Sequence, residues 1–207
     1  MKIVIIGATG TIGKAVVKLL EQRHQIVTVS RSSGDYRANI TNKASLEAVL
    51  GAVGKVDAIV SAAGSAMFKP LAELTDADFE KSLNDKLMGQ VNVVRVGALH
   101  ILRGGSITIS SGVLAQEPIL GSAAVSLVNA GLEGFGRAAA LELQRTGVRV
   151  NVVSPPWVKE TLAALNMDPS SGLPADEVAK AYAQSVEGRA TGQIIDARKT
   201  AAKAPNA

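Results

Sequence analysis

The sequence lacks cysteine, and only two histidines, His24 and His100, occur among its 207 residues. The absence of cysteine excludes disulfides, thiolate nucleophiles and thiolate metal sites, and two histidines alone make a poor set of metal ligands. The sequence therefore predicts a site without a metal ion.

Long hydrophobic runs are missing as well. No stretch approaches the roughly 18 uninterrupted apolar residues of a membrane-spanning helix. The first seven residues, MKIVIIG, reach a glycine too early to form the apolar region of a secretory signal. We therefore expect a cytoplasmic protein that has no membrane partner.

An excess of one charge is confined to the end of the chain. The formal net charge is +4, from 22 basic and 18 acidic side chains. Three of the basic residues lie in the last eleven, which contain no acid, so the rest of the chain has 19 basic side chains against 18 acidic ones. This near-neutral body argues against a nucleic-acid partner, and residues 197–207 are predicted to be a disordered basic tail.

Short apolar runs alternate with segments of helical periodicity. Strands are predicted at residues 2–6, 25–30, 57–61, 106–110, 148–153 and 193–196, with a weaker one at 36–40, and helices at 11–22, 43–50, 76–102, 122–144 and 175–186. Strands joined by crossover helices form a parallel sheet that is covered on both faces. The predicted fold class is α/β: a single-domain Rossmann-type doubly wound sheet of about seven strands over residues 1–196.

A glycine-rich turn follows the first predicted strand and opens the first predicted helix. The free backbone N–H groups and the positive dipole end of such a helix suit a pyrophosphate, and the glycines permit close approach of the backbone. A plain tight turn is the alternative. The predicted phosphate-binding residues are Gly7, Thr9, Gly10, Thr11, Ile12 and Gly13.

The cofactor choice depends on the end of the second strand. An NAD site usually has an acid there, whereas residues 30–33 read Ser-Arg-Ser-Ser. The guanidinium of Arg31 and the hydroxyl of Ser32 would pair with a 2′-phosphate, which a carboxylate would repel. The pattern therefore favours NADP(H) over NAD(H), with a solvated polar turn as the alternative.

Several motifs, taken in order, resemble the short-chain dehydrogenase/reductase family over nearly the whole chain. Residues 39–41 resemble its adenine-contacting Asp-hydrophobic-Thr, with asparagine first, and residues 61–64 resemble its Asn-Asn-Ala-Gly segment. Residues 107–111 resemble the strand with the active-site serine, and residues 151–158 resemble the stretch that covers the nicotinamide. The resemblance implies cofactor contacts from Asn39, Ile40, Ala62, Ala63, Gly64, Pro155, Trp157, Val158 and Thr161.

The family's proton-donating Tyr-x-x-x-Lys pair is missing from this pattern. Alignment on residues 132–135 puts Val125 at the tyrosine and Asn129 at the lysine, one helical turn apart. Alignment of residues 79–89 puts Lys86 at the asparagine of the family's water relay, so lysine and asparagine are exchanged. The resemblance thus implies an atypical catalytic set of Ser111, Lys86 and Asn129.

Lys86 is the candidate proton donor, because burial lowers the pKa of a lysine and makes it a stronger acid. A solvated Lys86 is the alternative. Neither tyrosine is expected to reach the substrate, since Tyr36 lies toward the adenosine end and Tyr182 lies on the last helix. Ser111 can bind the substrate oxygen, but its hydroxyl is too weak an acid to replace a tuned phenol.

Three functions follow from these features. The first is an NADP(H)-dependent oxidoreductase acting on a small carbonyl or alcohol, and the second is a catalytically silent NADP-binding sensor or regulator. The third is a structural dimer module, because the segments 76–102 and 122–144 carry many small residues that permit close helix packing. A homodimer or homotetramer is expected.

Overall fold

The computed structural model describes residues 1–201. Seven parallel strands form one sheet in the order β3-β2-β1-β4-β5-β6-β7. The strands are β1 (Lys2–Ile6), β2 (Gln25–Ser30), β3 (Tyr36–Arg37), β4 (Val56–Ser61), β5 (Ile101–Ser110), β6 (Arg149–Ser154) and β7 (Ile194–Asp196). The helices are α1 (Thr11–Leu20), α2 (Lys43–Val53), α3 (Asp76–Ser82), α4 (Gly89–Gly97), α5 (Ala123–Leu143), α6 (Lys159–Ala164), α7 (Ala175–Glu187) and α8 (Ala197–Ala201). The predicted doubly wound α/β fold is confirmed.

Strand β1 shows why the sheet is covered on both faces. Successive side chains of a strand point to opposite sides. Val4 and Ile6 pack in the cluster with α2, α4 and α5, whereas Ile3 and Ile5 pack in the cluster with α1 and α7. All four are at most 1% exposed. The continuous apolar runs of the strands are therefore those of a buried parallel sheet.

The order of the strands also determines where a ligand can enter. From β1 the chain runs to β2 and β3 on one side, and β4 then begins the other half of the sheet. The loops beyond the carboxyl ends of β1 and β4 diverge at this reversal and leave a crevice between them.

The predicted helix of residues 76–102 is wrong in its last part. Helix α3 continues through a π-helical turn, Leu83–Met88, into α4, which ends at Gly97. Strand β5 already begins at Ile101, which pairs with Val56 of β4. Pairing with a strand some 45 residues earlier in the chain thus overrides the local helical pattern.

The weak strand predicted at residues 36–40 is shorter, and only Tyr36–Arg37 pairs with β2. The backbone N–H of Thr41 donates to the side-chain oxygen of Asn39 over 3.1 Å, which turns the chain toward α2. Helix α6, which periodicity did not predict, is only six residues long.

The predicted disordered tail of residues 197–207 is wrong for its first five residues, which form α8. Ala197 is fully buried, and the Arg198 guanidinium lies 2.7 Å from carboxylate oxygens of Glu117 and of Asp196. Residues 202–207 of that prediction lie outside the described residues. Between residues 1 and 201, no helix has both the length and the apolar character needed to cross a membrane.

Candidate active site

The glycine turn joins β1 to α1 in a tightly packed form. Gly7 has φ +85°, and a Cβ atom at this position would lie 2.8 Å from the carbonyl of Ala62. A Cβ atom on Gly13 would lie only 2.0 Å from the carbonyl oxygen of Gly7. The backbone N–H groups in the first turn of α1, which include those of Thr11 and Ile12, have no intrahelical acceptor. The turn therefore presents donors above the sheet at a place where no side chain fits.

A cavity of about 270 Å³ opens beside this turn, beyond the carboxyl ends of β1, β2 and β4. It brings together many of the residues predicted to bind a cofactor: Gly7, Thr9, Gly10, Arg31, Ser32, Asn39, Ile40, Ala62, Ala63 and Gly64. The sequence did not predict the other lining residues: Ile6, Ser30, Ala38, Ser65 and Asp85. The motif residues thus share one concave surface although they come from four segments of the chain.

One edge of this cavity is basic. Arg31 and Ser32 are exposed at the end of β2 and line the cavity. The nearest acid in sequence, Asp35, is engaged elsewhere, because the backbone N–H and the hydroxyl of Thr28 each donate to its carboxylate over 2.8 Å. These hydrogen bonds lower the pKa of Asp35. The carboxylate of Asp35 is therefore held by Thr28, and Asp35 does not line the cavity.

The segment predicted to cover the nicotinamide does not line the 270 Å³ cavity. Pro155 and Val158 are buried after β6, Trp157 is half-buried, and Thr161 lies in α6. The carbonyl of Pro155 accepts from the backbone N–H of Val113 over 3.0 Å, so the segment is joined to the loop that follows β5. The structure thus places these four residues beyond the carboxyl end of β6, beside the loop that follows β5 and outside the cavity at the glycine turn.

Lys86 lies on the π-helical turn and reaches the end of β5. Its ammonium Nζ donates to the carbonyl oxygen of Ser111 over 3.0 Å. Its backbone packs against the predicted cofactor segment, since a Cβ atom on Gly64 would lie 3.0 Å from the Cα of Lys86. Desolvation lowers the pKa of Lys86 to about 8. The ammonium therefore faces Ser111 and is a stronger acid than an ordinary lysine.

Ser111 is buried directly after β5 and contacts an acid that the sequence did not predict. Its hydroxyl lies 3.3 Å from Oε1 of Glu133 and 3.4 Å from the carbonyl oxygen of Val153. The amide of Gln116 donates to the other carboxylate oxygen of Glu133 over 2.9 Å. Glu133 is only 4% exposed. A buried carboxylate thus ties the serine to the loop that follows it.

Asn129 lies one turn before Glu133 on α5 and is 1% exposed. Its side-chain oxygen has no hydrogen-bond partner in the described structure. Its amide nitrogen lies against Gly112, where a Cβ atom would approach it to 2.9 Å. Val125, a further turn back, is half-buried. Asn129 is thus next to Ser111 in space, and an apolar side chain precedes it on the same face of the helix.

A second missed residue is Gln90, which fixes the end of β5. Its amide donates to the carbonyl of Ser110 over 2.6 Å, and its carbonyl accepts from the N–H of Ser110 over 2.9 Å. A simple signal for both missed residues was present in the sequence. Glu133 follows Asn129 by four positions, and Gln90 follows Lys86 by four, which is the spacing of neighbours on one helix face.

Tyr182 is fully buried among α1, α7 and the sheet, and its hydroxyl is 2.6 Å from that of Ser110. Burial raises its pKa to about 12. The other tyrosine, Tyr36, lies on β3 at the far edge of the sheet. Within residues 1–201, neither phenol forms a hydrogen bond with Lys86 or Ser111. Residues 1–201 also contain no group of three acidic or histidine side chains arranged to hold a metal ion.

Residues 2–202 match a family model described as enoyl-(acyl carrier protein) reductase. A hydroxynaphthalene reductase from Aspergillus fumigatus is 31% identical over 141 residues, which are 66% of this chain and 52% of the relative. The chain thus matches about half the length of such curated relatives.

Solved structures share the whole fold. The protein lin1944 from Listeria innocua is 40% identical, with a TM-score of 0.89 over 95% of this chain and 98% of that one. A small-chain dehydrogenase in complex with NADPH has a TM-score of 0.83 over 95% of each chain, and its 24% identity shows likeness of fold alone.

Proposed function

Because the chain belongs to the short-chain dehydrogenase/reductase family, we propose that it is an NADP(H)-dependent oxidoreductase with an atypical proton donor. Its substrate is a small carbonyl compound or, in the reverse direction, an alcohol. One observation carries the proposal: the desolvated ammonium of Lys86 contacts Ser111 beside a cavity that is built around a glycine turn.

The cavity residues fit the adenosine and phosphate parts of NADP(H). Gly7 and Gly13 leave no room for side chains, so that the backbone itself can approach a pyrophosphate. Arg31 at the cavity edge offers a planar guanidinium to a 2′-phosphate. At about 270 Å³ the cavity is slightly below the roughly 300–1,000 Å³ typical of ligand pockets, so it would enclose part of the dinucleotide. The NADPH found in a protein of the same fold supports this choice.

Lys86 and Ser111 can together perform the proton chemistry of a carbonyl reduction. Bound NADPH would supply the hydride to the carbonyl carbon. The Ser111 hydroxyl would turn from Glu133 to donate its one hydrogen bond to the carbonyl oxygen. The Lys86 ammonium would transfer its proton to that oxygen as the alcohol forms. The neutral amine then regains a proton from solvent. A pKa of about 8 leaves Lys86 mostly protonated at neutral pH while it remains able to release the proton.

Single-turnover kinetics test this proposal. We expect the protein to bind NADPH and to oxidise it slowly in the presence of a panel of small ketones and aldehydes. A protein without any general acid would lose about 10²- to 10⁴-fold in rate, which still leaves measurable chemistry when cofactor and substrate are well oriented. Installing the family pair with V125Y and N129K should then raise the rate. Failure to bind NADPH would contradict the proposal outright.

The preference for NADP(H) is tested at Arg31. We expect R31A to weaken NADPH binding by about 10- to 100-fold and to leave NADH binding nearly unchanged, because a charge-assisted hydrogen bond is worth about 1.5–3 kcal/mol. Isothermal titration calorimetry with both nucleotides measures this. The matched control is R37A, which removes another exposed arginine that does not line the cavity. Equal losses for both nucleotides in R31A would show that Arg31 does not select the 2′-phosphate.

A catalytically silent NADP-binding sensor is the second candidate function. The half-buried Val125 and the amide of Asn129 favour it, because neither can donate a proton as a tuned phenol does. Wild-type protein that binds NADPH and never oxidises it with any carbonyl would establish the sensor.

We further propose a homodimer or homotetramer through α4 and α5, where Leu127 and Leu141 of α5 are exposed.

A further inference from the structure

A second concave surface lies between the loop after β4 and the start of α5, and we call it the apolar cleft. Its volume is about 730 Å³, well within the range of small-molecule pockets. One wall comes from residues 68–71 and the other from residues 118–126. Its larger apolar lining residues are Phe68, Pro70, Leu71, Pro118, Ile119 and Leu120.

The polar side chains of the apolar cleft are already paired with one another or with the backbone. The hydroxyl of Ser122 donates to the carbonyl of Ile119 over 2.7 Å and accepts from the N–H of Ile119 over 3.0 Å. The hydroxyl of Ser126 donates to that of Ser122 over 3.0 Å. The ammonium of Lys69 lies 2.6 Å from the carboxylate of Asp78. A ligand in the cleft would therefore contact mainly hydrocarbon, because the ammonium and hydroxyl groups that line the cleft already have partners within the protein.

The apolar cleft lies beyond the carboxyl ends of β4 and β5. Its two walls follow β4 and β5, the strands that lead to Gly64 and to Ser111. Ser126 in its lining is the residue after Val125, on the helix that carries Asn129. The ring of Phe68 meets that of Trp157 edge to face, with centroids 5.4 Å apart. The cleft is thus joined to the segment predicted to cover the nicotinamide.

Contacts within the chain hold the two walls in position. The backbone N–H of Met67 donates to the buried hydroxyl of Ser82 over 3.0 Å, which fastens the first wall to α3. Gly121 has φ +83°, and a Cβ atom there would lie 3.4 Å from the Phe68 ring, so the second wall fits closely against the first. A preformed apolar pocket can bind without a large ordering cost.

We propose that the apolar cleft binds the carbon skeleton of an uncharged apolar carbonyl substrate, with an aryl ketone as the best fit. The proposal rests on the proposed reductase function. Phe68 remains 40% exposed and offers a ring against which an aromatic group can pack. A carboxylate or phosphate on the same skeleton would lose its hydration without gaining a partner, because Lys69 is already paired. The site therefore selects against anionic substrates.

The experiment compares an aryl ketone with its ring-carboxylated analogue, by direct binding in ligand-observed NMR and by single-turnover NADPH oxidation. We expect the neutral ketone to bind at least about tenfold more tightly. L71D should weaken ketone binding by a similar factor and leave NADPH affinity unchanged. The matched control is L99D, since Leu99 is 69% exposed and Leu71 is 68% exposed, and Leu99 lies at the opposite end of β5.

The possible results separate this inference from the reductase function. Ketone binding that L71D alone weakens supports the apolar cleft even when no NADPH is oxidised, in which case only the reductase function fails. If the rate of NADPH oxidation is the same with and without the ring carboxylate, and the same in L71D as in the wild type, the apolar cleft is not the substrate site. The reductase function then stands. A dimer that L71D dissociates, with no ketone binding, overturns the cleft as a substrate site because a second copy then covers it.

Discussion

Replacing Lys86 by methionine is expected to slow single-turnover NADPH oxidation by about 10²- to 10⁴-fold, the usual contribution of general acid catalysis. Methionine keeps much of the side-chain length but removes the ammonium group that donates a hydrogen bond to the Ser111 carbonyl. NADPH affinity should change little, because Lys86 does not line the 270 Å³ cavity. The matched control is K81M, at an exposed lysine one turn or so earlier in the same helical segment.

The pH dependence of the same reaction identifies the acid. With a pKa of about 8, the Lys86 ammonium is present below pH 8 and lost above it. The rate of carbonyl reduction by the wild type should therefore fall as the pH rises through 8, and the K86M rate should not show this step. An unchanged rate in K86M, or the same step in both proteins, would remove Lys86 from the mechanism.

The free energy of unfolding should also depend on the protonation of Lys86, but it should rise with pH where the rate falls. Burial sets the pKa of Lys86 below its ordinary value of 10.5, so between pH 8 and 10.5 the unfolded chain binds more protons than the folded one. The folded state then gains stability as the pH rises across this window. Urea unfolding of wild type and K86M at several pH values measures the difference, because K86M lacks this contribution.

Substituting alanine for Gly13 is expected to lower the free energy of unfolding by about 1–3 kcal/mol or more and to abolish measurable NADPH binding. The new Cβ atom would lie 2.0 Å from the carbonyl oxygen of Gly7 and 2.7 Å from its carbonyl carbon. Both are backbone atoms, so relief requires the turn itself to open. Gly7 cannot shift freely, because it already packs against Ala62.

The control for this substitution is G51A. Gly51 lies in α2, and a Cβ atom there would meet nothing within 4 Å. Removing a helical glycine should stabilise the protein by roughly 0.5–1 kcal/mol. Urea unfolding and calorimetry with NADPH together measure both variants. If G13A binds NADPH as the wild type does, the close packing of the turn is not required for the cofactor site.

The sequence predicted the parts of the fold that depend on local patterns. The glycine turn was found because a buried strand precedes it and an amphipathic helix follows it, and both are legible over a few residues. The segment after Gly97 was misassigned because its structure depends on pairing between Ile101 and Val56, which are distant in sequence. The tail was misassigned because Ala197 and Arg198 are ordered by contacts with remote residues.

The candidate site was predictable to the same extent. Lys86 and Asn129 followed from alignment with family motifs, but the contact of the Lys86 ammonium with Ser111 depends on how two elements pack. Glu133 was not predicted because the sequence of a helix shows neither that this acid is buried nor that Ser111 and Gln116 are its partners. Helical spacing predicts which residues share one face of a helix, whereas only the tertiary structure identifies their partners on other elements.

The π-helical turn Leu83–Met88 makes the position of Lys86 sensitive to chain length as well as to side-chain identity. A turn closed by i→i+5 hydrogen bonds holds one residue more than an α-helical turn closed by i→i+4 bonds. The sequence of a relative that lacks this extra residue would align with a one-position gap within residues 83–88. The helix of that relative would then place a residue adjacent in sequence at the position that Lys86 occupies here. Gap placement in this short stretch therefore determines whether a sequence comparison recognises the lysine as shared.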